Sequence, residues 1–364
     1  MKTIDESWFS PDYKTARSRF IELVQEKGGQ HSSLPIGARG PDNEALSVDI
    51  GFFGDPNPKR VLLHVSGTHG IEGFAGSAIQ LAAISNDIST PPADSAVVFV
   101  HVLNPFGMAW MRRVNERNVD LNRNFLAPGT PYEGACTGYA AMAPILNPSS
   151  PPGFDFFLLR SGLKILRHGY NALKQAITEG QYAYPKGLFY GGAELEEGPK
   201  VYLNWLKTTF TDVESMCVID VHTGLGQSGE DTLLIDAGQD DPAYQALAAT
   251  FGERVAPWDA DASVAYQING GHPAGLTRAL PQAQIDFITQ EFGTIPAIRV
   301  LYALREENRW HHWGSAHTSH KSKARLLNAF RPDSRIWREA VLRRGLELLD
   351  GVHQRIFESV TKSA

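Results

Sequence analysis

The chain has 364 residues, with 34 Lys and Arg against 40 Asp and Glu, so its formal net charge is −6. Hydrophobic residues make up 42% and charged residues 20%, which is ordinary globular composition and leaves no basic footprint for nucleic acid. Cys136 and Cys217 are too few, and too far apart, for a disulfide framework or a sulfur-ligated metal site. The first residues, Met1 to Ser7, run into charge without an apolar signal core, and no apolar run approaches the ~20 residues needed to span a bilayer. The expectation is one cytoplasmic domain over residues 1–364, with neither nucleic acid nor membrane as partner and homo-oligomerisation left open.

Residues 13–27 have helical periodicity, with Phe20, Leu23 and Val24 on one face. Residues 46–52 alternate apolar and polar as a half-buried strand does, and Asp55-Pro56-Asn57-Pro58 is a turn. Residues 60–66 form a continuous apolar strand, and residues 75–84 a helix behind the Gly-rich turn that follows. Further buried strands are expected at 96–103, 216–221, 233–236 and 285–291. Continuous apolar strands separated by helices indicate an α/β fold with a mixed, mostly parallel central sheet covered on both faces. Between the strands at 96–103 and 216–221 lies a long connection, about residues 126–210, rich in Pro, Gly and Ser at first and helical from 156 to 179. A connection of that length is usually functional, here an elaboration of the active-site mouth and not a separate domain. A helix with Leu342, Leu346 and Leu349 on its buried side occupies about 335–360.

The chemistry concentrates at strand ends. His69 and Glu72 stand three positions apart in the turn Ser66-Gly67-Thr68-His69-Gly70-Ile71-Glu72-Gly73, just past an apolar strand, where open α/β sheets place their ligands. His222 follows Ile219-Asp220-Val221 in the same setting, before Thr-Gly. Two imidazoles and one carboxylate are the donor set of a catalytic zinc, leaving a position for water. Asp220 is a candidate outer partner of a ligand, its direction left open by strand alternation. Arg112, Arg113, Asn115, Arg117, Asn122, Arg123 and Asn124 cluster in a segment suited to a carboxylate or an oxyanion, with Asp120 read as structural.

Asp-Leu-Asn-Arg-Asn-Phe at residues 120–125 resembles a signature of the zinc metallocarboxypeptidases, the family typified by pancreatic carboxypeptidase A. The ordered series His69-x-x-Glu72, Asn104-Pro105-x-Gly107, Arg113-x-Asn115, Asn122-Arg123, His222 and Glu291 resembles it too, over about residues 60–295. The resemblance implies a carboxypeptidase-like (phosphorylase/hydrolase-like) fold and one Zn2+ per chain, held by His69, Glu72 and His222. It implies Asn122 and Arg123 on the substrate carboxylate, and Arg113 polarising the scissile carbonyl, with Arg112 as runner-up. Glu291 takes the place of the general base, against a buried glutamate paired with Arg299 or Arg305. Tyr266 stands at a compatible distance for the family's mobile active-site Tyr, although its local motif differs.

The connection at 126–210 and the Gly-Leu-Phe-Tyr-Gly-Gly and Glu-Phe-Gly-Thr elements look like a bacterial branch apart from the pancreatic enzymes. More distantly, the series is similar to aspartoacylase and succinylglutamate desuccinylase, which cleave N-acyl amino acids. The expected substrate is therefore a small peptide, or alternatively an N-acyl amino acid, and a non-catalytic binding module is the remaining reading. His311 and His312, with His317 and His320, read as packing beside a groove in preference to a second metal site. Tyr182, Tyr184, Phe189 and Tyr190 read as core before mouth lining.

Overall fold

The structure is a computed structural model that describes residues 5–88, 90–168, 179–258 and 269–358. Tyr266 lies outside the described residues, as do the second half of the 156–179 helix and the last two residues of the 335–360 helix. The strands are β1 (Gln30–Arg39), β2 (Ala45–Gly54), β3 (Arg60–Ser66), β4 (Ser95–His101), β5 (Ser215–Ser228), β6 (Asp231–Ile235), β7 (Val255–Pro257) and β8 (Gln284–Gly293). They form a single eight-stranded sheet in the order β1-β2-β4-β3-β5-β8-β6-β7. The four central strands β4, β3, β5 and β8 are mutually parallel, and β1, β2 and β6 bring in the antiparallel pairs. This is the mixed, mostly parallel α/β sheet expected from the apolar runs.

Those runs are continuous because both faces of the sheet are covered. Leu62, Val97, Phe99, Cys217 and Ile219 face one core, while Val61, Leu63, Val98, Met216 and Val218 face another. The first core lies under α1 (Tyr13–Glu26), α2 (Gly73–Ser85) and, contributing Leu342, Leu346 and Leu349, the long C-terminal helix Arg335–Glu358. Helix α2 is buried all round, and a Cβ on Gly76 would meet Ser66 Oγ at 2.5 Å, so small residues let it press onto β3.

One local expectation needs correction, and two strands were not foreseen. β2 is not half-buried: its polar face is covered by α1, so Asp49 is fully buried and bound by Arg17 at 2.7 Å and His31 at 2.9 Å. The alternation was real, but the second face meets a helix and not water. The strands β1 and β7 carry no apolar signal because they are the sheet's two edges, one mostly exposed and containing Pro35, the other three residues long.

The connection at 126–210 contains α4 (Thr137–Leu146), α5 (Phe157–His168) and α6 (Glu197–Thr209), with α3 (Pro105–Ala109) just upstream. Tyr139, Met142, Leu188 and Phe189 from this connection join Phe74, Phe106 and Met108 in a third core. The same core takes in Leu304 and Phe330 from the helices Ala297–Trp313 and Lys321–Phe330. It surrounds the loop that carries Glu72.

Candidate active site

Strand register sets the site. β3 pairs with β5 up to Ser66↔Val221, so the turn after β3 leaves the sheet level with His222; β5 itself runs on to Ser228, past the end expected at 221, and pairs His222 with Glu291 on β8. Past Ser66 the chain turns through Gly67, at φ +66°, where a Cβ would lie 2.7 Å from that of Val102. A Cβ on Gly70 would come within 2.3 Å of the backbone of Gly107, so this approach admits only glycine. The close approach lets Gly70 and Ile71 donate their N–H groups to the carbonyls of Arg113 (3.1 Å) and Arg112 (2.8 Å). Backbone pairing thus places the Arg113 segment against the turn that carries His69 and Glu72.

His69, Glu72 and His222 are all buried, and one ligand atom from each lies within 4.8 Å of the others. The two Nδ1 atoms are 3.1 Å apart, and Glu72 lies 3.1 Å from His69 Nδ1 and 3.3 Å from His222 Nδ1. Ligand atoms at tetrahedral corners about 2.0–2.2 Å from a zinc-sized ion stand roughly 3.3–3.6 Å apart, close to this spacing. The outer nitrogens also fit a metal site. His69 Nε2 lies 2.9 Å from Asp120 Oδ1, and His222 Nε2 lies 3.2 Å from Asp220 Oδ2, at ion-pair distance though off hydrogen-bond alignment. Tautomers with hydrogen on Nε2 leave both Nδ1 lone pairs facing the carboxylate of Glu72. A single divalent cation fits these donors.

The charges around this point are strongly coupled. Burial alone would raise the carboxyl of Glu72, but His69 and Arg113 overcome it and hold it well below the usual range. Asp120 is likewise depressed against its burial, by Arg123, His69 and Arg113. Asp220 is depressed against its burial by His222 and His272. Glu291 goes the other way. Burial and the neighbouring charge of Glu72 push it up to about 7, and its Oε1 accepts a bond from Leu225 N at 2.9 Å. No ion pair joins it to Arg299 or Arg305 among the described residues; Arg305 is engaged by Glu306 and Asp155. A buried carboxyl without an ion-pair partner among the described residues, beside a metal-type donor set, is suited to carry a proton.

The two arginines separate cleanly. Arg113 donates to Glu72 Oε1 at 2.6 Å and to Asp120 Oδ2 at 3.3 Å, its Nη2 also lies 2.9 Å from His69 Nε2, and its guanidinium lies over the rings of Phe189 and Phe330. Arg112 turns away to Glu307, Asn118 and Asn308 and is fully buried. Arg112→Met is therefore expected to lower folding stability by about 3 kcal/mol or more, because it breaks a buried pair. Arg113→Lys is expected to melt near the parent and to lose about 10²–10³ in turnover. Urea titration beside a rate assay checks the contrast; equal stability losses in the two variants would contradict it.

Asn122 Oδ1 accepts from His272 N at 2.9 Å, which turns its amide hydrogens the other way as donors. Arg123 is fully buried, bonded toward Asp120 at 3.4 Å, with a Cβ on Gly180 only 2.5 Å from its Cδ and the Tyr182 hydroxyl on its carbonyl. Phe189 and Tyr190 are buried, as the core reading has it, but Tyr182 is half-buried and Tyr184 exposed, which corrects that reading for both; the Phe189 ring also lies against Arg113 and Arg123. His311 and His312 stand at right angles on Ala297–Trp313. His69, Glu72 and His222 are the only metal-type group among the described residues.

Two neighbours of this group were not singled out for it from the sequence. Asp120, read as structural, is the outer partner of His69, and its place in Asp-Leu-Asn-Arg was the signal available. His272 contacts Asp220 across 52 positions, and nothing in Gly270-Gly271-His272-Pro273 marks it.

The chain belongs to the family described as "Protein of unknown function (DUF2817)", which matches residues 9–344. No curated protein matches the sequence. Among solved structures the chain is similar to carboxypeptidase A from Helicoverpa armigera, at 14% identity and a TM-score of 0.47, covering 87% of this chain and 73% of that one. It is also similar to a murein-tripeptide amidase from Escherichia coli O157, at 17% identity and a TM-score of 0.40, covering 79% and 96%. A third is a succinylglutamate desuccinylase from a Silicibacter species, at 14% identity and a TM-score of 0.39, covering 79% and 67%. No helix among the described residues is long and apolar enough to cross a membrane.

Proposed function

We propose that this protein is a zinc-dependent hydrolase that cleaves an amide bond in a small peptide or peptide-like substrate bearing a free carboxylate. The observation that carries the reading is the convergence of His69 Nδ1, His222 Nδ1 and the carboxylate of Glu72, with Glu291 on the strand beside His222. His69, Glu72 and His222 would hold the zinc, which when bound would supply a Lewis acid for the water and the scissile carbonyl. Glu291 accepts the proton of the attacking water and returns it to the departing amine. Arg113 donates to the oxygen on which charge develops. Asn122, through its amide hydrogens, and Arg123, through its guanidinium, hold the substrate carboxylate. Arg123 lies under Gly180 and Tyr182, so substrate entry displaces that cover.

The test is a hydrolysis screen of short peptides and N-acyl amino acids with product analysis. An amino acid plus a shortened peptide supports the peptidase reading. An amino acid plus a free acid moves the assignment to an N-acyl amino acid deacylase. No turnover of either class, by protein loaded with zinc, leaves the binding-module reading.

The carboxyl of Glu291 sets a pH dependence. A general base works deprotonated, so activity is lost as pH falls through its pKa and is recovered as pH rises above it. Glu291 sits at about 7 in the metal-free protein, and a cation beside it lowers that value. The ascending limb of kcat/KM is thus expected at or below about pH 7, and to vanish in Glu291→Gln. An ascending limb that persists in that variant would assign the base elsewhere.

A further inference from the structure

We infer that His272 is a positioning residue for the candidate metal centre, acting through Asp220 on His222. The inference rests on the hydrolase reading in taking His222 as a ligand. His272 is fully buried at the start of the helix His272–Ala279, with Nδ1 2.9 Å from Asp220 Oδ2 and Nε2 3.2 Å from the hydroxyl of Tyr202. Its ring stacks on Phe125 at 5.2 Å and meets the edge of Phe287, and its main-chain N–H is fixed by Asn122. The hydrogen pattern closes in one way. Tyr202 donates its O–H to Nε2, His272 donates Nδ1–H to Asp220, Thr68 donates its O–H to the same carboxylate at 2.9 Å, and His222 Nε2 lies 3.2 Å from it at ion-pair distance.

The two outer carboxylates are held differently. Asp120 has the guanidinium groups of Arg113 and Arg123 beside it, so its orientation does not depend on one neighbour. Asp220 has Thr68, His222 and His272 as its side-chain partners among the described residues. Without His272, Thr68 alone opposes His222, and the carboxylate is free to turn from the imidazole whose lone pair it directs. An apolar residue would pack equally well between Phe125 and Phe287, so packing alone does not account for an imidazole here. Outer partners of this kind typically contribute a factor of about 10–100 in metal affinity.

The experiment compares His272→Asn and His272→Gln in the full chain. The Asn amide nitrogen reaches the position of Nδ1 and keeps the bond to Asp220; the Gln amide reaches the position of Nε2 and does not. Zinc dissociation constants are measured by competition with a chromogenic chelator, beside the melting temperatures of the zinc-free proteins. The expected result is affinity about 10–100-fold weaker for His272→Gln, most of it retained for His272→Asn, and similar zinc-free melting for both. Asp220→Asn is expected to weaken zinc comparably, and the double variant with His272→Gln to lose no more than either alone, since one residue acts through the other. Parent-like affinity in His272→Gln, or losses that add in the double variant, would overturn the inference and leave the hydrolase reading intact. Failure of the parent to bind zinc, or binding unchanged by His69→Ala, would sink both.

Discussion

His69→Ala and His222→Ala are each expected to reduce bound zinc from near one ion per chain to none detectable after dialysis, with activity lost in parallel. Two of three ligand atoms cannot keep the ion in a site built for three, because the remaining carboxylate and imidazole leave half the coordination shell to water. Elemental analysis of parent and variants is the measurement. The zinc-free proteins are expected to keep the fold, since neither histidine belongs to the three hydrophobic cores. Binding is also expected to release protons. In the metal-free protein His222 is held well above the ordinary imidazole range: burial opposes this, but Asp220 and Glu72 more than compensate. Calorimetry in buffers of different ionisation enthalpy reads that release. Zinc retained in both variants would place the ion elsewhere and dissolve the assignment of Glu72 with them.

Glu291→Gln is expected to lower turnover by about 10²–10⁴ while leaving bound zinc unchanged. The amide keeps the volume of the carboxyl, and its oxygen still accepts from Leu225 N, so neither packing nor the strand end is disturbed. What is lost is the ability to take a proton. The contrast with His69→Ala separates a group that holds the ion from one that moves the proton. Reduced zinc in Glu291→Gln would make this residue a fourth ligand, and undiminished turnover would remove it from the chemistry. A protein that binds zinc, binds a substrate carboxylate and turns nothing over, with or without Glu291, is a binding module.

The grouping of His69, Glu72 and His222 was legible because each follows an apolar run. Glu291 does too, and a sheet with both faces covered turns such runs into neighbouring strands. The choice of Arg113 over Arg112 was read from a spacing in the sequence, and its physical basis is tertiary. Two adjacent side chains leave an extended segment in different directions, and only the backbone bonds from Gly70 and Ile71 decide which one faces Glu72.

The sequence by itself determined the class of fold and singled out His69, Glu72 and His222 as a candidate donor set, because these follow from local patterns of apolar runs and from residue chemistry. It did not determine the edges of the sheet, where exposure removes the apolar signal, nor the burial of the polar face of β2, which depends on α1 lying across it. The outer hydrogen-bond partners were likewise decided only in three dimensions. Asp120 meets His69 across 51 positions and His272 meets Asp220 across 52, and these are contacts that only the folded chain creates.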